Sequence, residues 1–214
     1  MNFSTIDLLS AGAALLAVMM CGFSGLYSQL RSLAVQTAFL AGIAISIGMS
    51  SGATHYLVLA GVVLLIKSIG IPMFLAWSAK RLEIPRDAGV MLPPALSALF
   101  GVGLLVAGYF LSSQFAVPKM GNIGEAGMTM TLIFIGMMLM ITRRLAISQV
   151  IGFLVLENGI FLYGLTQTHG MPMLVEMAAV FEVLMGVMIA GLVTYRISRT
   201  FEHVDVTHLR GLRH

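Results

Sequence analysis

Charged side chains are scarce in this sequence. Only 10% of its 214 residues are Asp, Glu, Lys or Arg, whereas 58% are hydrophobic. An average soluble domain carries about 25% charged residues, so the chain has too few of them to keep a folded surface in water. The scarcity excludes a soluble globular protein and predicts an integral membrane protein, whose solvent is the lipid bilayer.

Cysteine is almost absent, and basic residues form no extended patch. The single cysteine, Cys21, lies inside an apolar run. One thiol cannot supply an intrachain disulfide, an iron–sulfur ligand set or a C-x-x-C-H haem attachment. The basic residues stand in short clusters between apolar runs and are not interleaved with aromatics, which argues against nucleic-acid binding. We therefore expect no catalytic, cofactor or metal site on this chain and no nucleic-acid partner.

The sequence contains several long apolar runs. A run of about 20 such residues is long enough to cross a ~30 Å hydrocarbon layer as a helix. The sequence therefore predicts an all-α polytopic membrane bundle of about seven helices. Their predicted ranges are 6–27, 32–50, 56–79, 88–112, 124–142, 147–166 and 172–195. Ser4 and Asp7 have the spacing of a capping box at the start of the first helix.

Basic residues are distributed unequally between the two ends of these helices. One set of ends holds only Lys119, and the other holds ten Lys and Arg residues: Arg31, Lys80, Arg81, Arg86, Arg143, Arg144, Arg196, Arg199, Arg210 and Arg213. Because cytoplasmic loops carry the excess of Lys and Arg, we expect the C-terminus in the cytoplasm and the N-terminus outside. The predicted location is the inner, cytoplasmic membrane.

Three ionisable residues remain far from every predicted helix end: Lys67, Glu157 and Glu182. At ~1.5 Å per residue each lies ~15 Å deep, near the bilayer midplane. A charge there costs roughly 2.5–3.5 kcal/mol on insertion scales, and such residues face the bundle interior and mark ion or proton pathways. The three are therefore candidates for a proton pathway. The alternative is a static buried ion pair that fixes the helix register.

Two further features adjoin these residues. Pro72 cannot donate a hydrogen bond to the carbonyl of Ser68, which predicts a break or kink of the third helix beside Lys67. Glu125 and Glu176 fall in the first turns of predicted helices, where the helix dipole favours an acid. Glu176 is also ~6 Å inside the outer end of its helix by the helical rise, and it is a candidate exit group for protons.

The chain resembles a known family over essentially its whole length, most strongly from Arg143 onward. The segments ISQVIGFLVLENGIFLYGL (147–165), AAVFEVLMGVMIAGLV (178–193) and VDVTHLRGL (204–212) are similar to hydrogenase-4 component E, a membrane subunit of formate hydrogenlyase-type complexes. Residues 124–197 also resemble the K-type subunit of respiratory complex I and the C subunit of multisubunit Na⁺/H⁺ antiporters. In K-type subunits two glutamates belong to a polar axis through the membrane, and Glu157 and Glu182 match them.

The resemblance implies an organisation and a set of partners. It implies a four-helix segment at 1–123, a three-helix K-type-like segment at 124–197 and a cytoplasmic tail at 198–214. The segment KSIGIPMFLAW (67–77) resembles the Lys-containing helix of the larger antiporter-like membrane subunits, which are expected partners. Nickel–iron and iron–sulfur centres are expected on other subunits, in a peripheral redox module on the cytoplasmic side.

The implied function is that of a non-catalytic subunit in the membrane arm of a respiratory hydrogenase complex, contributing buried carboxylates to proton translocation. Two alternatives stay open: a subunit of a cation/proton antiporter without redox partners, and a structural spacer in the membrane arm. The tail combines apolar residues with Arg199, Arg210 and Arg213. This pattern predicts either a docking segment for a hydrophilic partner or a segment held at the lipid surface.

Overall fold

A computed structural model describes residues 4–81, 89–115 and 122–167. Regular structure within these ranges is helical. The helices are α1 (Thr5–Gly22), α2 (Leu26–Ser51), α3 (Thr54–Arg81), α4 (Pro94–Phe115), α5 (Ile123–Thr142) and α6 (Ala146–Gln167). All six are long and apolar enough to cross a membrane, which confirms the predicted all-α class, and the chain is a multi-pass membrane protein. The seventh predicted helix, 172–195, and the tail lie outside the described residues.

The boundary between α1 and α2 differs from its prediction. The first helix ends at Gly22, not near 27, and the second begins at Leu26, not near 32. Phe23 and Gly25 have extended backbones, and the side-chain amide of Gln29 donates to the Phe23 carbonyl at 3.0 Å. The prediction placed Arg31 between helices, whereas the structure carries it on the exposed face of α2.

The N-terminal ends of α1 and α5 are joined through their caps. The predicted capping box is confirmed, because Ser4 Oγ accepts from the Asp7 N–H and the Asp7 carboxylate accepts from the Ser4 N–H. The other Asp7 oxygen accepts from Asn122 Nδ2 at 3.0 Å, and Asn122 itself caps α5. The two helices therefore begin at the same face of the bundle, as alternating spans require.

Glycines bring α5 and α6 into direct backbone contact. A Cβ atom built on Gly136 would overlap the backbone of Leu156, and one on Gly152 would lie 2.8 Å from the Met140 nitrogen. On Gly159 it would lie 2.9 Å from the nitrogen of Ile133. Small residues allow this approach in membranes, where van der Waals packing drives helix association. The contact fixes the helix that carries Glu157.

The middle of α3 is a π-helix, Val63–Gly70. Its widened turns are visible at the end of the segment, where the Ile71 N–H donates to the Ile66 carbonyl, five residues back. The α-helical pattern is thus interrupted beside Lys67, where a break or kink was predicted, and the helix then continues to Arg81. A proline ring clashes with the carbonyl four residues before it in a regular α-helix, and the π turns lead that carbonyl away. The irregularity does surround Lys67, as the proline suggested.

Arg143 lies at the junction of α5 and α6, and its side chain is only 1% exposed. Nη2 donates to the carbonyls of Met20 and Cys21, both at 3.1 Å. Both carbonyls lie in the last turn of α1, where a cation is favoured, and the Met20 carbonyl also accepts from the Phe23 N–H at 3.3 Å. Burial lowers the pKa of the Arg143 guanidinium below its ordinary value. The sequence predicted Arg143 to be a basic residue in a loop. In the structure it is buried and caps the end of α1.

Candidate functional site

Lys67 and Glu157 form an ion pair inside the helix bundle. Lys67 comes from the π segment of α3, and Glu157 lies midway along α6. Nζ is 3.4 Å from Oε1, and the two residues are 3% and 5% exposed. The sequence predicted that both residues face the bundle interior, and the structure brings these two predicted site residues together.

One side of the pair is apolar. The Phe161 ring, one helical turn after Glu157, has its centroid 5.4 Å from Lys67 Nζ, a cation–π distance. Phe161 belongs to a buried apolar cluster formed by α2, α3 and α6, whose other members are Leu40, Ala41, Ile43, Ala44, Tyr56, Leu59, Ala60, Val63, Leu162 and Leu165. The ion pair therefore borders a region of low dielectric, where charge interactions are strong and unpaired charges are costly.

The other side of the pair adjoins a network of amides. Asn158 Nδ2 donates to Gln36 Oε1 at 2.9 Å and to Thr37 Oγ1 at 3.3 Å. Gln36 Nε2 donates to the Ala13 carbonyl at 3.0 Å. Asn158, Gln36 and Thr37 are fully buried, so the network joins α6, α2 and α1. Sequence reasoning missed it, although a Gln and an Asn inside apolar runs were a usable signal.

The two carboxylate oxygens of Glu157 have different surroundings. Oε1 of Glu157 faces the ammonium, while Oε2 is buried and has no hydrogen-bond partner in the described part of the chain. Glu157 therefore faces Lys67 through one oxygen and keeps a second buried oxygen without a hydrogen-bond partner among the described residues.

The remaining predicted site residues are not part of this arrangement. Glu125 lies in the first turn of α5, the helix-start position predicted for it. Glu176 and Glu182 lie outside the described residues. Among the residues that the structure describes, no group of three or more His, Cys, Asp or Glu side chains could hold a metal ion.

Comparison with known proteins gives two levels of similarity. The chain is 30% identical over 215 residues to the uncharacterized protein Rv0085 of Mycobacterium tuberculosis, covering 99% of this chain and 98% of that protein. It is 22% identical over 183 residues to hydrogenase-4 component E of Escherichia coli K12 and of Shigella flexneri, covering 84% of each chain. No family model and no solved structure matches it. Hydrogenase-4 component E is thus a distant relative, and over its full length the chain belongs to the family of Rv0085.

Proposed function

We propose that this chain is a subunit in the membrane arm of a respiratory membrane-bound hydrogenase complex, and that its Lys67–Glu157 pair takes part in proton translocation. The observation that carries the proposal is the buried ion pair, formed midway along two helices that are able to span the membrane. Intramembrane ionisable groups of this kind mark ion or proton pathways. The distant similarity to hydrogenase-4 component E supports the assignment of the chain to a hydrogenase complex.

The two members of the pair are coupled through their charges. A proton that binds the Glu157 carboxylate removes the negative charge facing Lys67 Nζ. The buried ammonium then loses that attraction. Proton uptake at Glu157 therefore favours release of a proton from Lys67 or movement of its side chain. Either response links protonation on α6 to a change on α3.

The remaining parts of the pathway follow the sequence expectations. Glu182 and Glu176 are proposed to extend it toward the outer face. Nickel–iron and iron–sulfur centres are assigned to partner subunits of a peripheral redox module on the cytoplasmic side, and larger antiporter-like subunits to the membrane arm. The C-terminus is placed in the cytoplasm by the ten-to-one distribution of basic residues.

The test is proton translocation by the assembled complex in inverted membrane vesicles. Glu157→Gln keeps the shape of the side chain but cannot exchange a proton, so we expect an assembled complex with translocation lost. Glu157→Asp should retain part of it, because the shorter carboxylate still titrates. Glu125→Gln removes a helix-start acid from a neighbouring helix and serves as the matched control, with translocation unchanged.

Two results would contradict the proposal. Full translocation by an assembled Glu157→Gln complex would remove Glu157 from the pathway. Co-purification of the tagged chain with cation/proton antiporter subunits alone, and no redox subunit, would replace the hydrogenase assignment with the antiporter alternative.

A further inference from the structure

One turn of α2 contacts the residue that follows each member of the ion pair. On α3, Ser68 follows Lys67, and Ser68 Oγ donates to the Ala34 carbonyl at 2.8 Å. Ala34 lies in the first half of α2, and its carbonyl thus accepts a second hydrogen bond beyond the helical one. This bond fixes the π segment against α2 at the position next to Lys67.

The contact on the α6 side comes from the same turn. Asn158 follows Glu157, and its Nδ2 donates to Gln36 Oε1 and Thr37 Oγ1 at 2.9 and 3.3 Å. Residues 34–37 of α2, here called the α2 turn, therefore hydrogen-bond to both partner helices within one helical repeat.

The acceptor end of Gln36 is held toward Asn158 by α1. Its Nε2 donates to the Ala13 carbonyl at 3.0 Å, so Oε1, the opposite end of the amide, faces α6. Ala13 and Gln36 are both fully buried. In the bilayer core no water replaces a lost partner of these groups. A rotation of α6 that broke the Asn158 contacts would leave buried amide groups without hydrogen-bond partners. Such a rotation is therefore energetically unfavourable.

We propose that the α2 turn is the positioning element of the Lys67–Glu157 pair and that Asn158 is the positioning residue that directs Glu157 toward Lys67. Successive residues of an α-helix point about 100° apart, so fixing Asn158 against α2 also fixes the direction of Glu157. The Ser68 bond does the same for Lys67 on α3. The placement of the pair is independent of its activity, and only the consequence for translocation rests on the proposed function.

The test measures the ion pair itself in the full chain reconstituted in lipid vesicles. Solid-state NMR with isotope labels on lysine Nζ and the glutamate carboxyl carbon reports a dipolar contact between the two groups. The chain also contains Lys80 and Lys119, so the signal is assigned to Lys67 by its disappearance in Lys67→Met. We expect a clear contact in the unmodified chain.

Two variants remove the positioning bonds from opposite sides. Asn158→Leu keeps the branched shape of the side chain, although it is larger, and has no donor, while Gln36→Met is similar in length and no longer offers the amide oxygen to Asn158. Each should lose the lysine–glutamate contact, and the second keeps the test valid if the first does not fold. Thr166→Val is the control on α6, because the Thr166 hydroxyl donates to the Leu162 carbonyl of its own helix; it should retain the contact.

The outcomes separate the two proposals. An unchanged lysine–glutamate contact in a folded Asn158→Leu or Gln36→Met chain would overturn the positioning role of the α2 turn. Loss of the contact together with loss of translocation in the assembled complex supports both proposals. Loss of the contact with full translocation would support the positioning role and overturn the proposed function of the pair.

Discussion

Lys67 Nζ lies 3.4 Å from Glu157 Oε1, and the pair joins the middle of α3 to the middle of α6. Each residue alone would place an uncompensated charge among buried apolar side chains. The structure removes that cost by bringing the two together between helices that are far apart in the sequence. Each charge therefore compensates the other.

Breaking the pair from one side should destabilise the bundle more than removing it altogether. Lys67→Met leaves Glu157 buried beside an apolar side chain, and the expected loss of folding free energy is about 3–5 kcal/mol. Lys67→Met combined with Glu157→Leu leaves no charge and should recover most of that loss. Thermal unfolding of the full chain in detergent measures both. Equal stability of the single variant and the unmodified chain would show that the charges do not stabilise each other.

The function of Lys67 should depend on its ability to lose a proton. Lys67→Arg keeps the positive charge at any working pH, since a guanidinium is not deprotonated in proteins. We therefore expect an assembled complex that does not translocate protons, as with Lys67→Met. The measurement is again proton uptake by inverted vesicles. Full coupling in Lys67→Met would show that the charge is dispensable for translocation.

Arg143 should matter for stability although it lies between helices. Its charged hydrogen bonds to the end of α1 contribute about 1.5–3 kcal/mol each, so Arg143→Met should lower the free energy of unfolding by at least about 2 kcal/mol. Arg144, the next residue, is exposed. Arg144→Met is the matched control and should stay within about 0.5 kcal/mol. Denaturation in detergent compares the two, and equal effects would contradict the capping role.

The contact between α5 and α6 should not tolerate a methyl group. Gly136→Ala places its Cβ on the Leu156 backbone, and the forced separation should cost about 1–3 kcal/mol. Gly103 of α4 has no atom within 4 Å of an added Cβ. Gly103→Ala should therefore be neutral or stabilising by up to about 1 kcal/mol, since alanine favours helix. A neutral Gly136→Ala would mean that the helices are not in backbone contact there.

The tail remains a prediction from sequence, because it lies outside the described residues. If it docks a hydrophilic partner, truncation after Thr200 should release the soluble redox module from the purified membrane arm. Subunit stoichiometry of the purified complex measures this. Retention of the full stoichiometry would leave the tail as a basic segment held near anionic lipid.

Some of this architecture followed from local properties of the chain. The capping box of α1 was predictable because its two residues are three positions apart and bond each other's backbone. The sequence predicted that the helix becomes irregular beside Lys67, but it did not predict that the irregularity is a π-helical segment. A proline specifies which backbone hydrogen bond is missing. Packing against neighbouring helices decides whether the helix ends there or continues with wider π turns. The end of α1 was misplaced because no charge or proline marks it.

The sequence by itself determined the membrane class, the approximate spans and the position of Lys67 and Glu157 far from the ends of their helices, because these depend only on the lengths of the apolar runs. Tertiary structure alone decided that these two residues pair, that Arg143 caps α1, and that Gln36 and Asn158 meet beside the pair. Each of those contacts depends on how helices distant in sequence are rotated about their axes and packed together. Glycine contacts and buried hydrogen bonds between helices set that rotation, and hydropathy carries no information about it.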